Sequence, residues 1–144
     1  MIIQIQNAGI CFQEILKLLT KPEDTVIIFV AFDVDALCTL RILCSILKHY
    51  NKNYTIFPVI SFDQMEMKIN ESEGSNNKAF IMINCGGSKD LTKYWFAEKD
   101  NMACILLDSH RPIHHNNVHY KKNIIVIDDG HCNFQNCPTD EGIL

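Results

Sequence analysis

The amino-acid sequence predicts an α/β fold: a doubly wound, mainly parallel five-stranded sheet with helices on both faces. Three observations carry this prediction. Five short apolar runs, many β-branched, recur at 26–31, 54–60, 79–83, 103–107 and 124–127, as strands buried on both faces do. Helical or turn-forming segments lie between them and supply the crossovers that parallel pairing needs. Polar residues then follow the runs directly: Asp33 and Asp35, Asn84, Asp108 with His110, and Asp128 with Asp129. Open α/β sheets place their sites at such strand ends.

Each element has its own signal. Ala8, Cys11, Phe12, Ile15 and Leu19 recur at helical spacing, and Thr20-Lys21-Pro22 ends that helix. After the first strand, Leu37, Leu40, Leu43, Cys44 and Leu47 form an amphipathic stripe, with Asp35 expected as the N-cap. Ser61 followed by Gln64 is a capping-box pattern for a short helix through about Ile69. A polar surface loop is expected over Glu71 to Lys78. Asp90 to Glu98 reads as one further helix carrying Leu91, Tyr94 and Trp95; of Tyr94, Trp95 and Phe96, at least two are expected to face the core.

Composition narrows the class. The 144 residues are 47% apolar and 21% charged, enough for one core, so residues 1–144 are expected to form a single domain. The net charge of -4 supplies no basic field for sequence-independent binding to a polyanion. Seven cysteines are an odd number, and Cys11, Cys38, Cys44, Cys85 and Cys104 sit where a small hydrophobe would serve, which suits a reducing compartment. Cys132 and Cys137 beside His131 lack the close paired spacing of a zinc site. The longest apolar stretch is far short of the ~20 residues that span a bilayer, so no membrane association is expected.

Parallel pairing would bring the strand ends to one crevice. Asp and His gathered there are donors suited to a divalent ion, and two such ions can clamp both oxygens of a phosphoester displacement. Simpler roles compete at each position. Asp33 could satisfy loop amides and Asp35 could cap a helix. Asn84-Cys85-Gly86-Gly87 could be a turn that uses glycine for its backbone angles. Arg111 could pair with Asp108 or Asp33 and neutralise them.

Order and spacing add a resemblance. The D-x-D turn at Asp33-Val34-Asp35, the Asn84-Cys85-Gly86-Gly87 turn and Asp108-Ser109-His110-Arg111-Pro112 together resemble the DHH phosphoesterase superfamily, of which the bacterial RecJ exonuclease is a member. The stretches 30–38, 83–87 and 107–112, with Asn116-Asn117-Val118 after them, more closely resemble the eukaryotic cell division control protein 45 family. The likeness covers about residues 25 to 118. It implies that 1–144 is a DHH-like α/β domain, the N-terminal part of a longer protein.

Set against the active phosphoesterases, three ligand positions differ. Ala31 stands where they carry a His two residues before the first Asp, Asn84 replaces an Asp, and Ser109 replaces the first His of D-H-H. The resemblance therefore implies a degenerate site whose vestigial metal positions are Asp33, Asp35, Asn84, Asp108 and His110, with no catalytic residue. No cofactor is expected beyond weak manganese or magnesium binding at Asp33, Asp35, Asp108 and His110. Asp33, Asp108, His110 and Arg111 are expected to hold this edge together.

The implied role is that of a nuclear, non-catalytic DNA replication initiation factor. It would be a scaffold subunit of the replicative helicase, joined to the minichromosome maintenance ring and the GINS complex, with single-stranded DNA contacted through the full-length protein. The alternative is a metal-dependent DHH-type phosphodiesterase or single-strand exonuclease. A flavodoxin-like or receiver-like module ranks last, because Asp33-Val34-Asp35-Ala36 replaces the glycine-rich loop that would cradle a phosphate.

Overall fold

The chain is described by a computed structural model over residues 1–120 and 122–130. The expectations placed on His131, Cys132 and Cys137 lie outside the described residues. Among the described residues the strands are β1 (Ile2–Gln4), β2 (Thr25–Ala31), β3 (Asn53–Val59), β4 (Asn77–Ile83), β5 (Ala103–Leu107) and β6 (Ile124–Asp128). The helices are α1 (Ala8–Leu18), α2 (Val34–His49), α3 (Phe62–Glu71) and α4 (His115–His119). All strands pair in parallel, in the order β1-β6-β5-β4-β2-β3. The sheet is α/β and parallel as expected, but it has six strands rather than five. The added one, β1, has only three residues, too few for periodicity to mark, and is held by its pairing to β6.

Period-two alternation divides the core in two. On one face Val26, Ile28 and Val30 of β2 and Ile105 of β5 pack with Cys11 and Ile15 of α1 and Ala36 and Leu47 of α2. On the other, Ile27, Phe29, Phe80, Met82, Cys104 and Leu106 pack with Met65 and Ile69 of α3, Phe96, and Val118 of α4. Each large apolar side chain so buried contributes about 1.5–3 kcal/mol. Helices therefore cover both faces, and β2, β4, β5 and β6 are buried on both. The expectation of two-sided burial fails for β3, which is an edge strand with Ile56 and Pro58 exposed; an edge is where proline, lacking an N–H, is tolerated.

Four further local expectations change. Asp35 does not cap α2, because the helix begins at Val34 and Asp33 is its N-cap, accepting from the Ala36 amide at 2.7 Å. The single helix expected over 90–98 is two 3-10 turns, Leu91–Lys93 and Trp95–Glu98, separated by an extended Tyr94. Aromatic packing holds them together with single-turn backbone bonds such as that from the Ala97 N–H to the Tyr94 carbonyl at 2.9 Å. Phe96 is fully buried against Phe80, and the indole N–H of Trp95 donates to the Ile69 carbonyl at 2.9 Å. Tyr94 and Trp95 also pack against this core, so the aromatic trio faces inward as expected. Cys38, read as a small core residue, is exposed on α2. The expected polar loop is confined to 72–76 because α3 runs to Glu71 and β4 starts at Asn77. Ser61 caps α3 through Gln64 at 3.3 Å. No helix among the described residues is long and apolar enough to cross a membrane.

One side chain ties together the first part of the segment from β4 to β5. Asn117, on α4 and fully buried, accepts from the Leu91 amide at 2.9 Å and donates to the carbonyls of Gly87 at 3.2 Å and Lys89 at 2.7 Å. Nothing in this dry setting replaces those partners. Asn117→Ala is expected to cost about 2–3 kcal/mol, measured by chemical denaturation; a loss within about 0.5 kcal/mol, the scatter of an ordinary surface change, would refute this role.

Candidate functional site

Parallel pairing sends the carboxyl ends of β2, β4, β5 and β6 to one edge, where Asp35, Asn84, Asp108, Ser109 and Asp129 line a cleft of about 300 Å³ floored by Ile83, Leu107 and Ile127. Of the residues singled out in the sequence, Asp33, Asn84, Asp108 and His110 form two bonded groups at this edge, and Asp35 and Asp128 stay outside them.

In the first group Asn84 joins two strand ends. Its backbone is left-handed, with φ 51°, a conformation that asparagine tolerates better than most residues. Its amide nitrogen donates to both carboxylate oxygens of Asp33, at 3.1 and 3.3 Å. Its carbonyl oxygen accepts from the backbone N–H and the hydroxyl of Ser109, each at 3.1 Å. Asp33 thus takes donors from Ala36 and Asn84. The Ala36 amide is the main reason its carboxyl is held below the usual range. Slight burial opposes that shift, and Asn84 and the His110 charge support it.

In the second group Asp108 is buried. One of its oxygens accepts from the Gly87 amide at 2.9 Å, and the other meets the His110 backbone N–H and ring Nδ1, each at 3.0 Å. A Cβ on Gly87 would stand 2.7 Å from that first oxygen, and Gly86 has φ 84° with Met82 Sδ 2.6 Å from its own added Cβ. Both glycines of the turn are therefore required, one for its backbone angle and both for close approach. Arg111 does not pair with the carboxylate of Asp108 or Asp33, contrary to expectation. Its guanidinium donates to the Asp108 backbone carbonyl at 2.7 Å and to the Asp129 carboxylate at 3.0 Å, because the Asp108 carboxylate points inward to Gly87.

Asp35 lies exposed in the first turn of α2, and Asp128 turns away to accept from Gln4 at 2.6 Å and from the Gly130 amide at 2.9 Å. Cys85 offers no nucleophile. Burial first, and the nearby Asp108 charge second, push its thiol up to about 12. Ala31 has no donor atom, Asn84 brings an amide, and Ser109 spends its hydroxyl on Asn84. Among the described residues no group of three or more His, Cys, Asp or Glu is arranged to hold a metal ion. The set does not fit a two-ion phosphoesterase centre, in which several carboxylate oxygens and imidazoles converge on one point. The structural roles of Ser109 and Asn117 were not visible in the sequence. The signal for Asn117 was an asparagine beside Val118 in a short segment otherwise able to pack.

Two outcomes follow from this bonding. Asp108→Ala strands the buried Gly87 N–H and is expected to cost about 1–3 kcal/mol. Asp108→Asn keeps an acceptor and should cost less, and equal denaturation midpoints for the Ala variant and parent would count against it. The second concerns acid. Asp90 is also lowered: burial opposes its ionisation, but hydrogen bonds from Thr92 and Asn116 outweigh that. A carboxyl lowered by folding contributes stability that is fully present above its unfolded value, about 3.9, and is lost as pH falls through the lower folded value. The thermal midpoint should therefore decline as pH drops below about 4, and Asp33→Asn, which retains a capping oxygen, should make the decline shallower. An identical acid slope for that variant would remove Asp33 from the account.

Comparison with known proteins gives a consistent result. The family model described as CDC45 matches residues 26–141. The Cell division control protein 45 homolog of Dictyostelium discoideum is 34% identical over 119 residues, covering 81% of this chain and 18% of that protein. The homolog of Schizosaccharomyces pombe is 37% identical over 108 residues, 74% of this chain and 17% of that protein. The chain thus spans less than a fifth of the length of these curated relatives. The crystal structure of CDC45 from Entamoeba histolytica superposes with a TM-score of 0.77 at 23% identity, covering 91% of this chain and 26% of that one. Exonuclease RecJ bound to manganese gives 0.57 at 16% identity, covering 91% of this chain and 34% of that one, a likeness of fold. With residues 26–141 inside the family match and a strand-end edge built from the motifs that first suggested it, this chain belongs to the CDC45 family.

Proposed function

We propose that this chain is the DHH-like domain of a nuclear DNA replication initiation factor, a subunit that scaffolds the replicative helicase and does not hydrolyse nucleic acid. Its partners in this reading are the minichromosome maintenance ring and the GINS complex, with single-stranded DNA reached through the full-length protein. Membership of the CDC45 family supports the replication role. The observation that carries the non-catalytic part is the state of the carboxylates. Asp33 and Asp108 already take hydrogen bonds from the chain's own donors, and at Ala31, Asn84 and Ser109 the side chains supply no charged or imidazole ligand. A site arranged this way lacks the charge needed to draw in two divalent ions.

The surroundings of the cleft suit binding better than chemistry. Phe32 is 71% exposed and Val34 76%, both beside Asp33, and Ile60, just past the end of the neighbouring strand β3, is 77% exposed. Exposed apolar side chains at the strand-end edge are what a partner protein would cover in this reading.

The test has two arms. The chain, incubated with end-labelled single-stranded DNA and manganese, is expected to release no nucleotide above the blank. The full-length protein should still co-purify with the helicase ring and the GINS complex when it carries Asp33→Asn. Manganese-dependent release abolished by Asp33→Ala would replace this reading with the enzyme, a DHH-type exonuclease or phosphodiesterase using Asp33, Asp35, Asp108 and His110 with one ion.

A further inference from the structure

The Asn84 bridge has a polarity that the fold does not require. A side chain at 84 faces a carboxylate on one side, Asp33, and two donors on the other, the backbone N–H and hydroxyl of Ser109. A carboxylate at 84 would satisfy the Ser109 side and meet Asp33 as a like charge. At neutral pH a cation between them would then be needed to relieve the repulsion. An amide meets both sides with neither charge nor metal, since it carries two donors at one end and an acceptor at the other.

We propose that the carboxamide of Asn84 takes the place of a bridging cation. It ties the end of β2, through Asp33, to the end of β5, through Ser109, so that the strand-end edge keeps one fixed shape in metal-free solution. The strands concerned are not neighbours. β4 lies between them, and its own last residue leads directly into Asn84, whose backbone N–H donates to the Leu107 carbonyl at 2.8 Å. Three strand ends are thereby joined at one residue. The same bridge orients α2, because Asp33 caps that helix, and it orients the turn that carries His110. Asn84 is a positioning residue in this account, and the account rests on the reading that this edge does not carry out metal-dependent hydrolysis.

The experiment is a charge swap. Asn84→Asp, Asp33→Asn and the double variant are compared with the parent by thermal midpoint, each in EDTA and in millimolar manganese. In EDTA, Asn84→Asp should lower the midpoint by about 4 °C or more. The double variant should recover most of that loss. Its new amide at position 33 would donate to the new carboxylate at position 84 across the same gap, while the carbonyl oxygen of that amide still accepts from Ala36. The carboxylate at 84 would in turn still accept from Ser109. Manganese should raise the midpoint of Asn84→Asp and leave the parent unmoved. If Asn84→Asp alone does not fold, a folded double variant is the same rescue. A double variant no more stable than Asn84→Asp, an Asn84→Asp midpoint equal to the parent's, an Asn84→Asp midpoint unmoved by manganese, or a parent stabilised by manganese would each overturn the proposal. Because the readout is stability and metal response, a failure to bind helicase partners would overturn the scaffold reading and leave this bridge standing. The reverse also holds.

Discussion

Parallel pairing imposes the constraint on which the rest of this structure depends: the ends of β2, β4, β5 and β6 meet at one edge, and the carboxylates drawn in there from solvent, unlike the exposed Asp35, must be met by donors. In a cleft with an apolar floor of Ile83, Leu107 and Ile127, an ionised carboxyl without partners is costly. The chain solves this locally. Asp33 takes a helix amide and a side-chain amide, Asp108 a turn amide and a histidine, and Asp129 a guanidinium. Each solution also fixes an element of backbone, so the polar edge and the fold are stabilised by the same bonds.

Packing beneath the edge makes those bonds rigid. Gly87 lies between Asp108, which accepts from its N–H, and Asn117, which donates to its carbonyl. The space that a side chain would need is filled by the Asp108 carboxylate. Asn117 continues the chain of contacts to Leu91, at the head of the aromatic layer that covers β4 and β5. Asp108 is thereby linked to Leu91 in that layer through three hydrogen bonds, by way of Gly87 and Asn117.

Sequence periodicity was a good guide where burial dominates and a poor one where a few hydrogen bonds decide. The runs ending at Ala31, Ile83 and Leu107 were legible because central parallel strands are apolar throughout. β1 was not, since three residues on a sheet edge carry no period, and only the partner strand β6 determines them. Asp35 was expected as the cap of α2, although Asp33, two positions earlier, is the same residue type. The extended backbone at Asp33 chose between them. The two 3-10 turns at 91–98 were hidden for a related reason: their position is set by Phe96 and Trp95 meeting Phe80 and Ile69, tertiary contacts that override local helical pattern. The gathering of Asp33, Asn84, Asp108 and His110 was readable from strand ends, but the pairing within it was not. Arg111 was expected at a carboxylate of Asp108 or Asp33 and instead holds carbonyls and Asp129, a choice made by which way one side chain faces.

The two principal carboxylates differ in how readily each could serve a bound ligand, and the difference bears on what this edge is for. Asp108 is buried, and its oxygens support the Gly87 turn and orient His110; withdrawing it to coordinate anything would loosen the turn. Asp33 is half-buried, and one of its oxygens is held by Asn84 at the longer distance of 3.3 Å, so it is the freer of the two. A two-ion centre needs both at once. Under the proposed scaffold reading this asymmetry has no cost, because recognition would rest on exposed side chains and not on a bound ion. Phe32 and Val34 flank Asp33, so the bonds that hold Asp33 constrain the backbone that carries both. In that reading the polar bridge would act indirectly: holding the strand ends still would leave exposed side chains such as Phe32 and Val34 ordered in advance, and side chains ordered in advance lose less conformational entropy when a partner covers them.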